Sequence, residues 1–210
     1  LNTAQAAALT TAQVAGLSAT QVASLSTAAT AALTTSQVQA LTTAQVRGLS
    51  NTQLNSLTTA QVASMETTDV AALSVTQVGS MNTASVAALT TSQAQALSSA
   101  QVASLTTTQI GALETSDLSA MSTAQLAGLS ATQIGRLNTA QAAALTTGQV
   151  AGLSATQIAS LSTAATAALT TSQVQALTTA QVRSLSSAQL NSLTTAQVAS
   201  METTDVAALS

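Results

Sequence analysis

Apolar residues recur along this chain at a spacing that neither one continuous helix nor one strand can hold on a single face. Read from Leu1 in steps of eight, position 1 is Leu in 22 copies and Met in four (Met65, Met81, Met121, Met201). Position 6 is Val, Ile or Leu in 21 of 26 copies, the exceptions being Ala6, Thr30, Ala94, Ala142 and Thr166. Between these anchors, position 2 is Ser, Thr or Asn in 23 copies, position 5 is Gln in 20, and position 8 is small everywhere except Arg136. The octad from Leu57 to Ser64 states the pattern most plainly and recurs unchanged from Leu193 to Ser200. The frame never shifts across 26 octads and ends in the pair Leu209-Ser210.

Geometry separates the possible readings. A continuous α-helix turns about 100° per residue, so each copy would leave the leucine stripe roughly 80° out of place. On a β-strand, positions 1 and 6 would point to opposite faces. Strand corners would also call for turn residues, and the chain has eight Gly and no Pro. One short helix per octad satisfies every position. Ser or Thr followed three residues later by Gln is a capping box, represented by Thr58 and Gln61. The flanking Leu57 and Val62 fall at the two places of a hydrophobic staple, which sets the angle of chain entry. Alanine-rich positions then carry about a turn and a half of helix until the next Leu-Ser/Thr pair begins.

A helix this short cannot stand alone, because nucleation is unfavourable and few bonds follow it. The octads therefore stack and share apolar faces, as repeat units do when none can bury its face by itself. The expected fold is an all-α solenoid of very short helices, one per octad. Three octads per superhelical turn is the fewest that enclose an interior. Small residues at position 8 let neighbouring backbones approach closely. The domain reading is one continuous repeat array over 1–210. A higher-order repeat lies above the octad: residues 1–74 return at 137–210 with 69 of 74 identical. The opening Leu1-Asn2-Thr3 is already in pattern, as expected of a segment of a longer array.

Composition narrows the function. Phe, Tyr, Trp, Pro, Cys, His and Lys are all absent, so Leu, Val, Ile and Met supply the apolar bulk of a thin core. Three Arg and six acidic residues give a net charge of −3, too sparse to steer nucleic acid. Polar residues interrupt every apolar run, so no membrane insertion is expected. Without His, Cys, Lys or Tyr there is no usual nucleophile–base pair, and neither catalysis nor a cofactor is expected.

Three octads exchange the neutral capping pair for acids: Glu66 with Asp69, Glu114 with Asp117, and Glu202 with Asp205. Two carboxylates three residues apart, with neighbouring hydroxyls, offer hard oxygen ligands for calcium, though fewer than the six to eight it takes. The plainer reading is a variant helix start favoured by the helix dipole. With three octads per turn, Arg47 could reach Glu66 or Asp69 on the adjacent coil. The octads Leu25–Ala32 and Leu161–Ala168 lose both Gln and Val and read as drift, a corner or a partner site. Hydroxyls at positions 2 and 3 form the most abundant surface chemistry, and water ordering or ice binding is one use of such an array.

The phrase Leu-Thr-Thr-Ala-Gln-Val-Ala-Ser, with acidic variants such as Met65-Glu66-Thr67-Thr68-Asp69-Val70, resembles the octapeptide arrays of very large, adhesin-like bacterial secreted and surface proteins. That resemblance covers the whole chain. It implies an extracellular stalk, spacer or filament subunit that associates with itself or with neighbouring segments of one long chain. Adhesion to a partner or glycan is the alternative.

Overall fold

The computed structural model describes residues 1–209; Ser210, half of the closing Leu209-Ser210 pair, lies outside them. Among the described residues there are 26 helices, one per octad, and no strand. Thr59–Ser64 shows why each begins where it does. Thr58, extended at φ −70 and ψ 160, accepts the Gln61 N–H on its hydroxyl at 3.2 Å, and Gln61 Oε1 accepts the Thr58 N–H at 2.6 Å. Two of the amides that a helix start leaves without partners are thus satisfied reciprocally. Every one of the 20 Gln at position 5 closes this box.

The helices end at the next leucine or methionine, as at Met65, or one or two residues before it, as at Ser24 and Asn55. Met65 is extended, and its N–H donates to the Val62 carbonyl at 3.2 Å, closing the last turn three residues back. Corners built from two extended residues need neither proline nor left-handed glycine, and no described residue has a cis peptide bond or a positive φ.

The chain forms two compact units, Leu1–Leu105 and Thr106–Ser210. In the first, Ala19–Ala23 packs on Thr43–Gly48, which packs in turn on Thr67–Ala72. In the second, Thr115–Ala120 packs on Thr139–Ala144, and Ala155–Ala159 on Thr179–Ser184. Every such pair is three octads apart, so each unit coils with the expected three helices per turn. Over most of the chain position 6 is buried inside the coil and position 1 closes it, as with Val62 at 0% and Leu57 at 5% exposure, while Leu1, Val198 and Val206 are exposed. The two staple positions are therefore both core positions.

Position 8 rests on the backbone of the coil beneath. Ser184 Oγ donates to the Ala155 carbonyl at 2.9 Å, 29 residues back, and Ser64 Oγ reaches the Thr35 carbonyl at 3.3 Å. Position 7 comes equally close to the coil above at two glycines. A Cβ on Gly79 would lie 2.8 Å from the Ser104 carbonyl oxygen, and one on Gly135 would lie 2.7 Å from that of Ser160.

The two irregular octads belong to the core. Thr30 is 1% exposed, donates its hydroxyl to the Ser26 carbonyl at 3.0 Å and accepts Gln53 Nε2 at 3.5 Å. Thr166 repeats both bonds with Ser162 and Gln189. Three octads beyond Thr30 the core position is Leu54, fully buried, where most octads carry Val. A larger side chain above thus compensates a smaller one below.

Candidate functional site

The chemistry that joins one coil to the next sits at position 5. Gln45 Oε1 accepts the Thr42 N–H at 2.7 Å within its own octad. Its other end, Nε2, donates to the Val14 carbonyl at 2.8 Å and the Leu17 carbonyl at 2.6 Å, 31 and 28 residues back. Gln93 grips Val62 and Met65 at 2.9 and 2.7 Å, Gln141 grips Ile110 and Leu113 at 3.0 and 2.8 Å, and Gln181 grips Val150 and Leu153 at 2.9 and 2.6 Å. Gln61 holds the Ala31 and Leu33 carbonyls in the same way. The position 6 carbonyls gripped in this way also accept the N–H that closes their own helix, as Val62 does from Met65 at 3.2 Å, and the position 1 carbonyls lie just past the helix end. One buried amide therefore starts a helix in its own coil and finishes one in the coil below. The side chain is buried wherever it does so, as with Gln45 at 1%. Gln5, Gln13 and Gln21, in the first three octads, keep the capping box but are exposed.

The acidic octads divide their two carboxylates. Glu66, Glu114 and Glu202 occupy the cap position, make no side-chain cap bond and are exposed. Asp69, Asp117 and Asp205 take the glutamine position and are buried at 2%, 1% and 3%. Thr43 Oγ1 donates to Asp69 Oδ1 at 2.9 Å, and Thr179 Oγ1 donates to Asp205 Oδ1 at 2.7 Å, each from 26 residues back. What meets Asp69 from the coil below is therefore a hydroxyl rather than Arg47, which is exposed. Burial pushes the Asp69 carboxyl above the usual carboxylate range; the Thr43 bond offsets part of the rise and the Glu66 charge adds to it. As for the calcium reading, one carboxylate of each pair faces water and the other the coil junction. Among the described residues no group of three or more His, Cys, Asp or Glu is placed to hold a metal ion.

A second departure from the octad is repaired across the coil. Ser85 stands in place of Gln, so it brings no amide to close the box on Asn82. Asn55 Oδ1 accepts the Asn82 N–H instead, at 2.7 Å, while Asn55 Nδ2 donates to the Ser80 carbonyl at 2.8 Å. Arg136, the one large residue at position 8, lines a surface depression with Thr107, Thr108 and Gly111. Hydroxyls at position 2 are used in capping, whereas those of Thr35, Thr59 and Thr83 at position 3 are exposed.

Neither the inter-coil glutamine bonds nor the Asn55 repair follows from octad spacing. One signal pointed to the former: a capping box accepts Glu as readily as Gln, yet position 5 never holds Glu.

No helix of the described residues is long and apolar enough to cross a membrane. The sequence model of the ALTTAQ repeat matches residues 30–67, 62–99, 110–147, 143–179 and 176–210, together well over half of the chain. Comparison with curated proteins found no match.

Proposed function

The chain belongs to the ALTTAQ repeat family, and from that premise we propose that it is a structural scaffold without catalysis, a stalk or filament-forming segment of a large bacterial surface protein. The observation that carries this reading is the glutamine clamp. Octads that carry the clamp bring the same bonds to the coil below, so coils can be added without any new kind of contact, and stability grows as a sum of nearest-neighbour terms. A chain whose buried polar chemistry is spent on joining its own coils is suited to extension. Its partners in this reading are copies of itself or neighbouring segments of the same long chain, outside the cell. Electron microscopy of polypeptides carrying increasing numbers of octads tests it. Rods or fibres that lengthen in proportion to octad number support the scaffold; compact particles of constant aspect overturn it. Surface labelling of intact cells with an antibody to the repeat tests the location, and a signal seen only after lysis overturns the extracellular part.

A further inference from the structure

Asp69 and Asp205 stand where other octads carry the clamp, and an ionised carboxylate has no hydrogen to donate. By the 31- and 28-residue offsets of Gln45, the carbonyls beneath Asp69 are those of Val38 and Leu41, and beneath Asp205 those of Val174 and Leu177. These receive no glutamine amide. Each junction instead has one hydroxyl bond running the opposite way, from Thr43 or Thr179 up to the carboxylate. The arrangement occurs in both copies of the long duplication, once in each compact unit.

We propose that Asp69 makes its junction a pH-dependent seam, closed in acid and loosened as the carboxylate ionises. Ionisation sets a buried negative charge over the carbonyl-lined end of the coil below, and protonation removes that charge. The other charged groups nearby do not cancel it. Facing Asp69 are Glu66 on its own helix start, which opposes ionisation, and Arg47 on Thr43–Gly48 below, whose side chain is exposed; Thr91–Ala96 above contains no charged residue. The upward displacement of Asp69 agrees in sign. A carboxyl whose folded-state value lies above its unfolded value, about 3.9, contributes stability that is full below that value and lost as pH rises through the folded value.

The test is hydrogen exchange on the whole chain, compared with Asp69→Gln, which supplies the standard clamp. Protection factors in Thr43–Gly48 and Thr67–Ala72 are expected to fall about tenfold per unit of displacement between pH 4 and pH 7 in the natural sequence. In Asp69→Gln they should stay level and exceed the natural protein's at pH 7. Thr43→Val, which removes the one bond favouring the ionised form, should move the midpoint of the change upward. An equal pH response in Asp69→Gln, a flat response in the natural chain, or an unmoved midpoint in Thr43→Val would overturn the proposal.

Discussion

Asn55 and Asn82 lie 27 residues apart, and the side-chain oxygen of the first accepts the backbone N–H of the second at 2.7 Å. That bond replaces the one a glutamine at position 85 would have made within its own octad. Asn55→Ala is therefore expected to destabilise the chain by about 1–3 kcal/mol, because it leaves a helix-start amide without its acceptor. Adding Ser85→Gln should recover most of the loss by restoring the local box. Denaturant melts of the two single variants and the double give the coupling, and strict additivity would show that the two sites are unrelated.

Gln45→Glu separates the two jobs of position 5. The new side chain can still close the box on Thr42, but it turns a donor into a buried charge facing the Val14 and Leu17 carbonyls. We expect a loss of at least about 3 kcal/mol at neutral pH, partly recovered on acidification. The same change at Gln13, which closes the box but is exposed, should alter stability by under about 0.5 kcal/mol. Thermal melts of both variants across pH decide the matter; equal losses would mean that only the cap counts.

Thr30 and Leu54 form a compensated pair one coil apart. Leu54→Val alone removes buried volume, at about 1 kcal/mol. Thr30→Val alone removes a hydroxyl that bonds Ser26 and leaves Gln53 one acceptor fewer, at about 1–2 kcal/mol. The pair together should lose less than the sum, since it restores the usual Val-on-Val stack. A double-mutant cycle measures the difference.

Gly135→Ala should destabilise by about 1–3 kcal/mol, because the added methyl would press on the Ser160 carbonyl oxygen. Gly111→Ala has open space around its Cβ and lies inside the helix Thr107–Ala112. There the change should stabilise by about 0.5–1 kcal/mol through helix propensity. Opposite shifts in melting temperature for the two variants are the expected result.

By itself the sequence determined the unit. The box between Thr58 and Gln61 and the staple positions Leu57 and Val62 lie within six residues of each other, so their geometry follows from local backbone conformation. The need to enclose a core then sufficed for three octads per turn. Tertiary structure alone decided which polar side chains join one coil to the next, because those bonds span 23 to 31 residues. Stacking register, not octad spacing, puts position 3 of one coil beneath position 5 of the next. That register brings Thr43 rather than Arg47 to Asp69, sends Glu66 to solvent while burying its partner, and lets Asn55 mend the octad that lost its glutamine. An octad specifies its own helix and its capping bonds, whereas the neighbouring coils determine what its remaining polar atoms bind.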